Sequence, residues 1–196
     1  MLHATAAQEV YPGCSRLIEE LDRAVASSTV PDKITHAVQA TLHDLLSARQ
    51  VSIPEHMRQP APNSYARRMV HVSPELGYTV LAMVWGPGQG TGLHNHAGMW
   101  CVEGVLEGLI EVTQYSMLDR SGSLYRFQPE GCEKAGVGEA GRLIPPHEYH
   151  VLRNAVPDAS SITIHVYGGE MNRCSVFEPR TEGWYEEVTK NLSLTN

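Results

Sequence analysis

The chain has 196 residues, 42% of them hydrophobic and 19% charged, with a formal net charge of −7. That length suits a single domain able to bury a core of its own. The acidic balance disfavours a nucleic-acid backbone, and nothing approaches the ~18-residue apolar run of a membrane span, so neither is expected as a partner.

The opening "MLHATAAQEV" has no basic segment leading into an apolar one, so no secretory leader is expected and the protein is predicted to be cytoplasmic. Between Cys14 and Ser27 the apolar residues Leu17, Ile18, Leu21 and Val25 recur at helical spacing. A second helix is predicted from Pro31 and Asp32, with Ile34, Val38, Leu42, Leu45 and Leu46 on one face. Residues 51–63 are Pro-rich and read as a loop. From about residue 65 the texture changes. Strands are predicted at 78–85, 100–106, 109–117, 123–127, 141–145 and 160–167, separated by turn signals such as "GPGQG", "DRSGS" and "GVGEAG". Such closely spaced short strands predict a mainly β sandwich or small barrel. Residues 1–62 form the expected N-terminal helical segment and 63–196 the β unit, one domain overall.

The stretch "LHNHAGMWC" (93–101) carries the chemistry. If it is a strand, His94 and His96 point to one side and can hold one metal ion. An H-x-H by itself is equally a pair of surface or core histidines. Cys14, Cys101, Cys132 and Cys174 are irregularly spaced with no C-x-x-C pair, and read as free thiols in a reducing compartment. A small buried hydrophobe is the ordinary fate of such a cysteine. Likewise His165 and Tyr167 suit a core pair on a buried strand, Arg67 and Arg68 a solvated basic pair, and Trp85, Trp100 and the methionines plain packing. His3, His36, His43, His56 and His71 have no visible partner and read as surface or loop residues.

The setting of the two histidines is more specific. Gly88 stands six residues before His94 and Gly108 seven after Cys101; further on come Pro145, His147, His150 and Asn154. This pattern resembles the two cupin motifs, with Trp100 or Cys101 where the acidic residue of the first motif usually stands and His147 where the second usually has glycine. The resemblance implies a cupin-type double-stranded β-helix, a small β-barrel or jelly roll with N-terminal α-helices. It makes His150 the third ligand beside His94 and His96, with His147 a turn or outer residue, giving three neutral imidazoles and no carboxylate. Imidazole suits iron, copper, nickel and zinc.

Within the cupins, residues 65–182 are similar to the thiol dioxygenases and to the cysteine dioxygenase type I family in particular. That family has a cysteine five places after its H-x-H, as Cys101 follows His96. It has a Ser-x-His-x-Tyr run, here Thr163, His165 and Tyr167. A further cysteine follows seven places on, here Cys174, and a Tyr-x-Arg stands upstream, here Tyr65 and Arg67. The resemblance implies Fe(II) as cofactor, with L-cysteine and O₂ as substrates and cysteine sulfinic acid as product. It implies Arg67, with Tyr65 beside it, as the partner of the substrate carboxylate, and Tyr167 as a donor held by His165 and Thr163. It also implies a thioether crosslink between Cys101 and Tyr167. Thr163 departs from the usual serine but keeps the hydroxyl. The run after Tyr167 is similar to that of the 3-mercaptopropionate dioxygenases and makes Arg173 a second candidate for the carboxylate, with a small thiol carboxylate as the alternative substrate. A non-catalytic metal- or ligand-binding cupin is the alternative of another class. A monomer or weak homo-oligomer is expected.

Overall fold

The computed structural model describes residues 11–195; the opening segment read for a leader, and His3 in it, lie outside them. The two predicted helices are α1 (Ser15–Ala26) and α2 (Pro31–Ser47), burying Leu17, Ile18, Leu21 and Val25, and Ile34, Val38, Leu42, Leu45 and Leu46. Pro31 opens α2, where its fixed φ suits the first turn and its missing N–H goes unmissed. Among the described residues no helix is long and apolar enough to cross a membrane.

Among the described residues ten strands follow: β1 (Ala66–Ser73), β2 (Tyr78–Trp85), β3 (Cys101–Glu107), β4 (Leu109–Ser121), β5 (Leu124–Gly136), β6 (Ala140–Leu143), β7 (His150–Asn154), β8 (Ser161–Tyr167), β9 (Arg173–Pro179) and β10 (Trp184–Asn191). They form two five-stranded antiparallel sheets, ordered β1-β2-β8-β3-β6 and β7-β4-β5-β10-β9. The mainly β architecture expected from the sequence is present, but as two open sheets rather than a closed barrel.

β2 and β8 are buried along their whole length. Val80, Ala82 and Val84 face one way, with Ile162, Ile164, Val166, Val102 and Leu106, into a cluster shared with both helices. Leu81, Met83, Trp85, Cys101, Val105 and Tyr167 face the other way, toward Ile110 and Leu152 of the second sheet. A strand covered on both faces loses the polar half of its alternation, so "YTVLAMVW" is an unbroken apolar run. Gly104 lets α2 seat closely on β3: a Cβ there would lie 2.8 Å from Leu46 Cδ1. Six strands match predicted ones. β1, β7, β9 and β10 were not predicted, because charged and polar residues break their apolar pattern; β1 even opens "ARR".

Candidate metal centre and active site

His94 and His96 are not on a strand, contrary to the sequence expectation. Their segment runs between the edge strands of the second sheet, joined by isolated bridges from Gly90 to Arg153 and from His94 to both His150 and Val176. Gly90 permits that passage: a Cβ would lie 2.5 Å from the Leu152 carbonyl oxygen. After His96 the chain reverses in a four-residue turn closed by Met99 N–H on the His96 carbonyl at 3.1 Å, with φ of 53° at Ala97 and 80° at Gly98. Positive φ at both central positions is the type I′ geometry. The reversal returns the chain to β3. His150 opens β7 beside this segment; its carbonyl accepts from His94 N–H at 3.2 Å, and its own N–H donates to His94 O at 3.3 Å.

The two segments bring His94, His96 and His150 together, one ring nitrogen of each lying within 4.8 Å of the others. His94 Nε2 and His150 Nε2 are 3.2 Å apart. Two imidazoles on one ion at ~2.1 Å would set their nitrogens about 3.0–3.4 Å apart, so the pair fits a shared metal. His94 Nδ1 faces the Gly92 carbonyl at 3.0 Å, which leaves Nε2 its lone pair. Burial and then the neighbouring His150 lower His94 to about 3, and burial with His150 and His94 holds His96 well below the usual range. Both imidazoles are therefore neutral at neutral pH, the form that ligates.

Two carboxylates that the sequence reading missed stand behind these ligands. Glu148 Oε2 accepts from His96 N–H at 3.3 Å and lies 3.8 Å from His96 Nδ1. Glu103 places one oxygen 3.5 Å from His150 Nδ1 and the other 3.3 Å from His165 Nδ1. Burial raises the Glu103 carboxyl, but His150, His165 and His94 outweigh it and the net shift is downward. The cupin pattern looks for an acid four or five places after the second histidine; Glu103 is seven after. Strand alternation from Cys101 would have found it. His147 is an exposed turn residue, its N–H bonded to Ile144 O at 2.8 Å. His36, His43 and His56 are exposed as expected, although His43 Nδ1 meets the Gly138 carbonyl at 2.9 Å.

β8 presents Thr163, His165 and Tyr167 on its inner face. Trp85 Nε1–H donates to Thr163 Oγ1 at 2.9 Å, and Thr163 Oγ1 lies 2.7 Å from His165 Nε2. Indole nitrogen only donates, so the arrangement that satisfies every group has the Thr163 hydroxyl donating to His165 Nε2. His165 Nδ1–H then faces Tyr167 Oη at 3.3 Å, which frees the phenol proton for the cavity. Burial lowers His165 to about 4; burial, then Cys101 and Glu103, keeps the Tyr167 hydroxyl protonated far above its usual range.

Cys101 sits opposite Tyr167 in the β3–β8 register. Gly168 N–H donates to the Trp100 carbonyl at 3.0 Å, one step outside that pair. The pair is thus a non-hydrogen-bonded one, in which side chains approach most closely. Burial, then the charge of Glu103, holds the Cys101 thiol well above the usual range. Gly168 is required here, since a Cβ would lie 2.3 Å from Trp100 Nε1.

Arg67 and Arg68 are both buried, 5% and 9% exposed, not a solvated pair. Arg68 bonds the Thr195 and Gln59 carbonyls. Arg67 Nη2 donates to Met171 O at 2.6 Å and Nη1 to Ser193 O at 3.2 Å, while its buried Nε has no partner among the described residues. Tyr65 stacks on Trp85 with ring centroids 4.4 Å apart. Tyr65, Arg67, the three histidines and Tyr167 line one cavity of about 20 Å³, which shares Tyr65, Thr91, His94, Cys174 and Leu192 with an outer groove of about 430 Å³. Arg173, the second carboxylate candidate, is exposed at the start of β9 and lines neither space. The polypeptide turns there to bury Cys174 instead, as strand alternation requires. Among the described residues all four cysteines are free, with Cys132 exposed.

A zebrafish (Danio rerio) protein described as Cysteine dioxygenase type 1 is 22% identical over 107 residues, covering 53% of this chain and 51% of that one. The chain thus spans about half the length of that curated relative. Among solved structures, the protein TT1209 from Thermus thermophilus superposes with a TM-score of 0.46 at 20% identity, over 60% of this chain and 94% of that one. A double-stranded β-helix protein from Klebsiella pneumoniae gives 0.46 at 17% identity, over 60% and 82%. The profile of the family described as Cysteine dioxygenase type I matches residues 37–180, a span that holds every histidine, arginine and tyrosine of the cavity, and the chain belongs to that family.

Proposed function

We propose that this protein is a non-haem Fe(II) dioxygenase that converts L-cysteine and O₂ to cysteine sulfinic acid. The observation that carries the reading is one cavity lined at once by three converging histidines, a buried arginine with unused donors, and a tyrosine hydroxyl held by a histidine–threonine relay. Held by His94, His96 and His150, Fe(II) would supply the redox chemistry that joins O₂ to a thiolate.

The rest belongs to the chain's own residues. Arg67 is pinned by two carbonyls, so its remaining N–H groups keep a fixed direction and form the fork that a carboxylate accepts. That anchor sets the substrate's thiol end toward the histidines. Tyr167 donates its proton into the cavity, and His165 and Thr163 fix where the phenol oxygen stands. Tyr65 and Trp85 wall the site against water. A thioether between Cys101 and Tyr167 would lock the ring further, and the close pair they form brings the two groups together for it.

The test is O₂ consumption by Fe(II)-loaded protein with L-cysteine and with 3-mercaptopropionate, the product identified by mass. Preference for L-cysteine with a gain of two oxygen atoms supports the proposal. Preference for 3-mercaptopropionate moves the substrate to a thiol carboxylate without an amine. Turnover of neither points to a binding protein. Intact mass reports the crosslink, whose formation removes two hydrogen atoms.

A further inference from the structure

Each candidate ligand turns its second ring nitrogen toward an acceptor: His94 to the Gly92 carbonyl, His96 toward Glu148, His150 toward Glu103. Only the last acceptor is shared with another part of the site, because the second oxygen of Glu103 faces His165 Nδ1 at 3.3 Å. We propose that Glu103 is a positioning residue, one carboxylate that couples the ligand His150 to the relay behind Tyr167 and sets how tightly the centre holds its metal. This rests on the reading of His94, His96 and His150 as metal ligands.

The placement follows from the strand. Cys101, Glu103 and Val105 alternate onto the inner face of β3, directly opposite Tyr167, His165 and Thr163 of β8. A carboxylate that is only 9% exposed is costly to bury without partners. Among the described residues two buried atoms here lack a full hydrogen bond: His150 Nδ1, which faces Glu103 Oε1, and Glu103 Oε2, which faces His165 Nδ1. A proton on His150 Nδ1 aimed at Glu103 leaves the lone pair on Nε2, the nitrogen that meets His94 Nε2. Glu103 supports His150 from behind and takes no ligand position: it is absent from the lining of the histidine cavity and instead walls a separate cavity of about 280 Å³. Three neutral imidazoles leave a divalent ion's charge uncompensated, and a carboxylate one imidazole away offsets part of it while keeping the open positions free.

Co(II) is the probe, its affinity read by competition with a chelator and its geometry by visible absorption, on the full chain. Glu103→Gln keeps the shape and removes the charge. It is expected to bind Co(II) about 10- to 100-fold more weakly with a shifted spectrum, while the apo protein melts as the wild type does. Glu103→Asp keeps the charge but reaches less far, and is expected to lose several-fold; it also serves if the amide variant does not fold. Wild-type affinity and spectrum in the folded variants would overturn the role of Glu103. Failure of the wild-type protein itself to bind Co(II) would instead overturn the ligand reading beneath it.

Discussion

Arg67 is held at two of its donors and free at the others, so its value lies in the fork and not only in the charge. Lysine keeps the charge and loses the fork. Arg67→Lys is therefore expected to cut kcat/KM for L-cysteine by about 10- to 100-fold, the loss of roughly 1.5–3 kcal/mol for a charged hydrogen bond, in steady-state O₂ uptake. Unchanged kinetics would place the substrate carboxylate elsewhere. A second residue, far from the site, governs alkaline stability. Cys14 is fully buried against Ser52 O at 3.4 Å, and burial raises its thiol from 9.0 to about 11. A folded pKa above the unfolded one favours the neutral thiol in the fold. Its contribution is complete below pH 9 and is lost as the pH rises through about 11. That amounts to at most about 2–3 kcal/mol. Urea midpoints should fall across this window, and less so in Cys14→Ala; an equal fall in both chains would assign the loss to other groups. At this scale the types and spacing of Arg67, Tyr167 and the three histidines were legible in the sequence. Glu103 and Glu148 were not, because a carboxylate's role depends on which ring nitrogen it faces.

A strand's alternation sets every second residue on one face, and β8 carries Thr163, His165 and Tyr167 in this way. Thr163 joins two groups, Trp85 Nε1 of β2 and His165 Nε2 of its own strand. Thr163→Val keeps the shape and leaves the buried indole N–H without an acceptor, which costs about 1–3 kcal/mol. Urea unfolding should show that loss, and O₂ uptake a lower kcat, since His165 would be free to turn. A variant with full activity would show that the relay does not position Tyr167. The six predicted strands were legible because burial on both faces or a clean alternation marks them. A strand would set His94 and His96 side by side, but their segment joins the second sheet only by isolated bridges, and Gly90 and the turn at Ala97–Gly98 shape it.

Across the whole molecule the first sheet separates two duties. One face packs on α1 and α2, and the other carries candidate site residues such as Cys101 and Tyr167. Stability and chemistry should therefore separate in mutants. Leu42 is fully buried where α2 meets β3, and Leu42→Ala is expected to destabilise the fold by about 2–5 kcal/mol while leaving Co(II) affinity of the folded protein within about twofold. Denaturant unfolding and chelator competition measure the two sides. A parallel loss of metal affinity would mean that the helices hold the site's geometry through the sheet.

By itself the amino-acid order determined the two helices, most strands of the first sheet, the candidate site residues and the family to which the chain belongs, because helical period, apolar runs and motif spacing are local. Only the tertiary structure decided which arginine reaches the cavity: Arg67 is turned inward by β1, and Arg173 is left outside at the start of β9. It decided that Cys101, which the family resemblance already sets beside Tyr167, faces it as a direct cross-strand pair, and it alone decided that Glu103 lies between His150 and His165. Those pairings depend on the register between strands distant in sequence, which is set by packing on both faces of the sheet and leaves no mark in any one segment.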